Sequence, residues 1–133
     1  MAERFTNFLR KFNNGSQVVV PASAADVDER TNGSVVQVHS LYISLSRTGT
    51  WTEEQRQTLS NYVNCDIYIS DPIKGQIYIA YGVLLVPGCP FYIEKNITLT
   101  ENQSLNVNVS NPTNTSINVV ASAVEFTEDT EEF

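Results

Sequence analysis

Reactive and metal-binding side chains are scarce in this sequence of 133 residues. It contains one histidine, His39, and two cysteines, Cys65 and Cys89. A zinc site within one chain needs about four ligands, and the cysteine spacing matches neither a zinc motif nor a CxxC redox motif. No GxSxG nucleophile elbow, GxGxxG turn or Walker A motif occurs. We therefore expect no metal or nucleotide cofactor. The two cysteines could form one disulfide bond or none, and two reduced, partly buried thiols are the favoured alternative.

Basic residues and long apolar runs are also lacking. Lys and Arg number 8 against 15 Asp and Glu, which gives a formal net charge of −7. Nucleic-acid binding requires a basic patch, so a nucleic-acid partner is disfavoured. The longest apolar run, Val83 to Pro87, is far below the ~20 residues that cross a bilayer, and the N-terminus lacks the apolar region of a signal peptide. The sequence predicts a single soluble domain with no membrane segment and no export signal.

Two arrangements could still carry chemistry. His39 could join a serine and an aspartate in a catalytic triad, although a histidine at the rim of a strand needs no function. Asp26, Asp28 and Glu29 could supply oxygen ligands to calcium, but they lack the glycine and terminal glutamate spacing of an EF-hand. A solvated acidic loop is the favoured alternative for these three residues. We expect the protein not to be an enzyme.

Alternation of apolar and polar residues predicts β-strands along most of the chain. The predicted strands cover residues 17–21, 34–46, 65–70, 76–87, 91–99, 105–110 and 116–126. In the second of them, Val36 and Val38 share one face, whereas Leu41 and Ile43 have the opposite phase. A bulge near His39-Ser40 would bring both pairs to the same side.

Three segments depart from this pattern. Phe5, Phe8, Leu9 and Phe12 have helical spacing, so an amphipathic helix or docking arm is predicted over residues 1–15. Residues 47–63 are expected to hold a short helix within a loop, because Thr52 and Gln55 resemble a capping box. The acidic tail, residues 127–133, is predicted to be disordered or an extended arm. The β domain then occupies residues 16–126.

About seven strands at intervals of roughly ten residues, separated by Gly, Pro and Asn turns, are typical of an all-β fold. We predict a two-sheet antiparallel β-sandwich with a short N-terminal helix or arm. Jelly-roll and Greek-key topologies both remain open. The last strand carries apolar residues on both faces, which suggests that the other sheet or another subunit covers its second face.

Apolar side chains without an obvious place in the core are candidates for subunit contacts. The candidate interface residues are Phe5, Phe8, Phe12, Tyr68, Tyr78, Val120, Val124, Phe126 and Phe133. The tyrosines have two further interpretations, because Tyr packs well in strands and can also stack on sugars. The sequence leaves packing, subunit contact and ligand binding open for them.

Several segments resemble a recurrent type of small virion protein of tailed bacteriophages. They are Ser34-Val-Val-Gln-Val-His-Ser-Leu-Tyr-Ile-Ser, Cys65-Asp-Ile-Tyr-Ile-Ser-Asp, the corner Val86-Pro87-Gly88, Ile97-Thr-Leu-Thr-Glu-Asn-Gln-Ser-Leu-Asn-Val-Asn-Val, and Ala121-Ser122-Ala123-Val124-Glu125-Phe126. Proteins of this type are non-enzymatic and lie on the capsid, at the neck or collar, or along the tail. The resemblance implies a place in the virion and no residue-level binding site.

The leading hypothesis is a head decoration or neck and collar component that forms homo-oligomers and contacts other virion proteins. Its localisation would be the virion, after assembly in the host cytoplasm. The alternative is a carbohydrate- or receptor-binding adhesin module of a fibre or tail tip, in which Tyr and Asn side chains bind a glycan.

Overall fold

The structure is a computed structural model that describes residues 2–23, 29–47, 63–86, 89–110 and 115–127. In these ranges the chain forms nine β-strands. They are β1 (Ala2–Phe12), β2 (Gly15–Val20), β3 (Val35–Arg47), β4 (Val63–Asp71), β5 (Gly75–Leu85), β6 (Phe91–Ile93), β7 (Ile97–Leu99), β8 (Ser104–Ser110) and β9 (Thr115–Thr127). The described ranges contain no helix able to span a bilayer.

The strands form two antiparallel sheets. Sheet A has the order β1-β9-β3-β6, with β7 also pairing with β3, and sheet B has the order β2-β8-β4-β5. Buried side chains from both sheets belong to one hydrophobic cluster, which includes Phe8 and Leu41 of sheet A and Ile67 and Val107 of sheet B. The prediction of an all-β fold with two antiparallel sheets is confirmed, and the arrangement is sandwich-like.

Strand β8 illustrates how side-chain alternation produces this core. Leu105, Val107 and Val109 are buried against the hydrophobic cluster, whereas Asn108 between them is half-buried on the opposite face. Successive side chains of a strand point to opposite faces, so this spacing gives each strand one apolar side.

The bulge predicted in the long third strand is confirmed. The pairing of β3 with β9 shifts register between Val38 and Ser40. The extra residue, His39, resets the alternation, and Val38 before it and Leu41 after it are both fully buried. His39 itself is exposed.

The predicted N-terminal helix is wrong. Residues 2–12 form strand β1, which pairs with β9 from Ala2↔Thr127 to Phe12↔Ile117. Phe8 is 1% exposed and fills the core, whereas Phe5 and Leu9 point outward. An isolated helix of this length is marginal in water, whereas the ladder with β9 hydrogen-bonds one side of the strand and places Phe8 in the core. The apparent helical period arose because both faces of β1 carry apolar residues.

Two other predicted segments lie largely or wholly beyond the described residues. The predicted helix at residues 47–63 falls on a segment of which only the two ends are described. The acidic tail is described only at Thr127, the last residue of β9, so Phe133 is also outside the described ranges.

A buried arginine joins the loops at one end of the two sheets. Arg30 is 2% exposed and donates hydrogen bonds to five backbone carbonyl oxygens. The acceptors are Pro21 O at 2.8 Å, Ser34 O at 2.7 Å, Leu99 O at 3.3 Å, Thr100 O at 2.8 Å and Gln103 O at 2.9 Å. One guanidinium thereby satisfies the carbonyl groups of three separate segments of the chain.

A buried carboxylate lies beside this arginine. Glu125 of β9 accepts hydrogen bonds from Thr31 N at 2.6 Å and Ser34 Oγ at 2.9 Å, and it forms an ion pair with Arg4 at 2.7 Å. Burial alone raises the pKa of Glu125, but these hydrogen bonds and the charge of Arg4 outweigh it, so the net pKa is lowered. The carboxylate anchors the segment before β3 to the last strand.

We predict that Glu125→Gln lowers the free energy of unfolding at neutral pH by about 2 kcal/mol, since it loses charge-assisted hydrogen bonds. The folded-state pKa lies below the ordinary value of 4.5. The carboxylate therefore stabilises the fold above that value, and its contribution is lost as the pH falls through the folded-state pKa. Urea unfolding of wild type and variant should give curves that converge at acid pH. A constant difference at every pH would contradict this assignment.

Candidate interaction surfaces

A row of apolar and aromatic side chains crosses the outer face of sheet A. The strand register places Leu9 beside Val120, Val120 beside Tyr42, and Tyr42 beside Tyr92. Leu9 is 61% exposed, Tyr92 56% and Tyr42 42%, and Val120 is half-buried between them. We call these four residues the outer row of sheet A. A contiguous apolar strip of this kind on a sheet surface is typical of a contact site.

The two tyrosines at one end of the outer row form a stacked pair. The ring centroids of Tyr42 and Tyr92 are 6.5 Å apart and their planes differ by 16°. A shallow hollow of about 320 Å³ adjoins the pair and is also lined by Ser40 and Glu94. The hollow combines flat aromatic surface with a hydroxyl and a carboxylate, which can accommodate either a protein side chain or a small polar ligand.

A second hollow on the same sheet, of about 420 Å³, contains the single histidine. Phe5, which is 81% exposed, lines it together with Asn7, His39 and Ser122. Ser122 Oγ donates to Asn7 Oδ1 at 3.0 Å, and His39 Nδ1 lies 3.0 Å from Asn96 Oδ1. Ser122 and His39, the two side chains that could act in catalysis, thus each contact an amide oxygen. Among the described residues, no carboxylate lines this hollow.

The outer side of sheet B carries a tyrosine cluster. The rings of Tyr68 and Tyr78 are 5.4 Å apart, and Tyr81 meets Tyr78 edge to face at 5.2 Å. Tyr68 is buried beneath the other two, whereas Tyr81 is 75% exposed. Tyr78 and Tyr81 belong to β5, one of the two edge strands of sheet B. The cluster therefore exposes aromatic surface along that edge.

The structure separates the candidate interface residues into exposed and buried groups. Phe5 and Tyr78 offer exposed surface, and Val120 and Phe126 are half-buried on sheet A. Phe8 lies in the core and Phe12 packs against its margin. Tyr68 and Val124 are buried outside that cluster, Tyr68 beneath Tyr78 and Val124 paired with Phe5, so they also leave little surface for a partner. Phe8 and Phe12 face inward because they alternate with Leu9 and with the other outward residues of β1.

Sequence reasoning missed Leu9, Tyr42 and Tyr92 as members of one surface. Each lies on a different strand, and only the register of sheet A brings them together. One local signal was present, because Tyr42 lies between the inward-facing Leu41 and Ile43 and must therefore point outward.

The cysteines and the acidic side chains that the structure describes do not gather into a metal-binding centre. Cys65 and Cys89 are free thiols, the first buried and the second exposed. Burial, with the nearby charge of Asp66, raises the pKa of Cys65 to about 12. Glu29 of the suggested calcium loop accepts hydrogen bonds from Arg10 at 2.6 and 2.7 Å, while Asp26 and Asp28 lie outside the described residues. Within the described ranges no three metal-binding side chains cluster together.

No protein-family model matches the chain, and no curated protein matches its sequence. Among solved structures, a chain in the acidic stable capsid structure of Helicobacter pylori bacteriophage KHP30 is 12% identical, with a TM-score of 0.51 over 97% of this chain and 90% of that one. A chain of the Bacillus endospore appendages, a family of disulfide-linked pili, is 9% identical. Its TM-score is 0.48, and the match covers 96% of this chain and 88% of that one. The CBM22-1 xylan-binding domain from Paenibacillus barcinonensis Xyn10C is 12% identical. Its TM-score is 0.36, and the match covers 94% of this chain and 86% of that one.

At these identities the similarity concerns the fold alone. The capsid chain shows that a phage capsid contains a protein with a similar arrangement of strands.

Proposed function

We propose that the protein is a non-enzymatic structural component of a phage virion, which acts by contacts with other copies and with other virion proteins. The observation that carries this proposal is the outer row of sheet A, in which apolar and aromatic side chains from four strands form one exposed strip. Burial of such a strip against a partner removes apolar area from water, which is the main driving force of protein association.

Two further observations support a virion protein over other assemblies. The sequence segments from Ser34 to Phe126 resemble small tailed-phage virion proteins, and the fold is similar to that of a phage capsid chain. The chain also changes sheet at most connections between strands, as in jelly rolls, which occur in viral capsid and lectin domains. We therefore include a jelly-roll topology in the proposal. Capsid decoration and a neck, collar or tail position are both compatible with this surface.

The proposal predicts that the wild-type protein sediments with purified phage particles and that Leu9→Lys reduces its binding by at least ~10-fold. A charge placed within an apolar contact must be desolvated without a partner. Leu9 is largely exposed, so the variant should fold normally. Quantitative mass spectrometry of gradient-purified particles provides the measurement.

Val18→Lys is the matched control, because Val18 is an exposed apolar residue on the outer face of sheet B. It should bind particles like the wild type. Absence of the wild-type protein from the particles would rule out the proposal.

One observation favours a second candidate, a carbohydrate-binding module. Tyr42 and Tyr92 present stacked rings beside the carboxylate of Glu94, and aromatic faces with nearby hydrogen-bonding groups suit sugar rings. A glycan array with the isolated protein distinguishes the two functions. Specific binding that Tyr92→Ala abolishes would support the carbohydrate-binding module, and no binding by the wild type would exclude it on that array.

A further inference from the structure

We infer that strand β5 is a self-association site, at which two copies of the chain pair their β5 edges antiparallel and join the two B sheets into one. This inference rests on the proposed function, in that it specifies one of the contacts between copies. The occupant of the site is a second copy of this chain.

The other sheet edges of the described chain are protected against such pairing. Strand β1 carries Glu3, Arg4, Arg10 and Lys11, and charged side chains on an edge discourage pairing. On β2 the carbonyl oxygen of Val18 already accepts a hydrogen bond from Arg10 Nε at 2.7 Å. Strands β6 and β7 are three residues each, and the charged Glu94 and Lys95 lie between them. Short, charged edges of this kind are poor templates for another strand.

Strand β5 has none of the charged side chains that protect β1. Its sequence, GQIYIAYGVLL, spans 11 residues without a charged residue. Five large apolar side chains on it are exposed to between 37% and 75%, namely Ile77, Tyr78, Ile79, Tyr81 and Leu84. Among the described strands, β5 has a pairing partner on one side only, which is β4. The outer edge of β5 therefore offers backbone N–H and C=O groups to another strand. Apolar side chains flank this edge on both faces of the sheet.

The regular part of this edge is its first half. The pairing of β4 with β5 shifts register twice between Cys65 and Tyr68, and Gly82 there has a φ of 70° with its N–H bound to Asp66 Oδ1 at 2.7 Å. Such bulges interrupt an edge, so the segment free to pair is Gly75 to Ile79. An antiparallel pair centred on Ile77 uses this segment, with Gln76 opposite Tyr78 of the second copy.

Three properties select a second copy as the partner. The chain has a net charge of −7, so two copies repel each other over most of their surface, whereas pairing of the uncharged β5 strands brings no like charges of these strands into contact. Centring on Ile77 also brings Ile73, which is 91% exposed at the hairpin turn, alongside Tyr81 of the other copy. Within this register Ile73, Ile77, Tyr78, Ile79 and Tyr81 expose on the order of 500 Å² of apolar surface per copy, against the ~1,000 Å² in total that a stable interface usually buries.

Sedimentation velocity tests the pairing directly. The wild type should show a species of twice the chain mass of 14.8 kDa, and Ile77→Lys should raise the dimer dissociation constant by at least ~100-fold. Two lysines would face each other across the two-fold axis, and like charges directly opposite are unfavourable. Circular dichroism confirms that the variant is folded. Val18→Lys, on β2 at the opposite edge of sheet B from β5, is the matched control that should keep this dimer.

A cross-linking experiment checks the register. In a Cys89→Ser background, which removes the exposed native thiol, Ile77→Cys should form a disulfide-linked dimer on mild oxidation, because facing residues of paired strands have Cβ atoms about 4.5–5.5 Å apart. Val18→Cys in the same background should stay monomeric on a denaturing gel, because Val18 lies on β2, at the opposite edge of sheet B.

The outcomes separate this inference from the proposed function. A dimer that Ile77→Lys disrupts and Ile77→Cys traps supports the β5 pair. A wild-type protein that binds particles but stays monomeric in solution, or whose dimer Ile77→Lys leaves intact, overturns the β5 pair and leaves the structural role standing. A β5 dimer that does not bind particles supports the pair and counts against the virion role.

Discussion

Replacing Arg30 with methionine is expected to lower the free energy of unfolding by about 4 kcal/mol. The guanidinium is 2% exposed and donates to carbonyl oxygens of Pro21, Ser34, Leu99, Thr100 and Gln103. Methionine fills a similar volume but donates no hydrogen bond, so several buried acceptors lose their partner, at about 1–3 kcal/mol each where water cannot enter. The variant also removes one of the two positive charges near the buried carboxylate of Glu125, which leaves only its ion pair with Arg4. Urea unfolding followed by circular dichroism measures the effect.

Two control variants distinguish loss of the hydrogen-bond network from loss of charge. Arg30→Lys keeps the charge but cannot reach five acceptors arranged around a planar group, so it should recover only part of the stability. Lys95→Met removes a charge from an exposed residue and should change the free energy of unfolding by less than about 0.5 kcal/mol. Equal unfolding midpoints for wild type and Arg30→Met would show that the arginine does not hold these loops together.

The second large effect is expected at the N-terminal strand. Phe8→Ala should lower the free energy of unfolding by about 3–5 kcal/mol, because it leaves a cavity in a close-packed core. Phe5→Ala, three residues earlier on the same strand, should change it by less than about 0.5 kcal/mol, since Phe5 is 81% exposed. Thermal and urea unfolding of both variants give the comparison.

This pair of substitutions also tests the strand assignment of residues 2–12. In an amphipathic helix, Phe5 and Phe8 would share one face and would respond alike to truncation. In strand β1 they face opposite sides of sheet A, so only one of them contributes to the core. Similar losses for both variants would contradict the strand.

Much of the fold follows from side-chain alternation, and the exceptions have physical causes. The alternation of Leu105, Val107 and Val109 and the phase change near His39 depend on local geometry, so the sequence predicts them correctly. The N-terminal segment was mispredicted because its state depends on pairing with β9, more than a hundred residues away. Tertiary pairing of this kind overrides local periodicity.

The interaction surfaces were less predictable than the fold. The side chains of the outer row of sheet A lie side by side only because four strands pair in one order and register. Side-chain alternation along the sequence does not indicate which strands pair with each other. The role of Arg30 was hidden for a similar reason, since its acceptors lie 9 residues before it, 4 after it and about 70 after it. Of this surface, side-chain alternation alone predicts only that Tyr42 points outward.

Hydroxyl-radical footprinting of the free and particle-bound protein tests the central claim most directly, because it reports which side chains lose contact with water. We predict that Leu9, Tyr42 and Tyr92 are oxidised in the free protein and protected on the particle. Val18, an exposed residue on the outer face of sheet B, serves as the internal reference and should be oxidised equally in both states. Equal oxidation of the outer row of sheet A in both states would contradict a structural role carried by this surface.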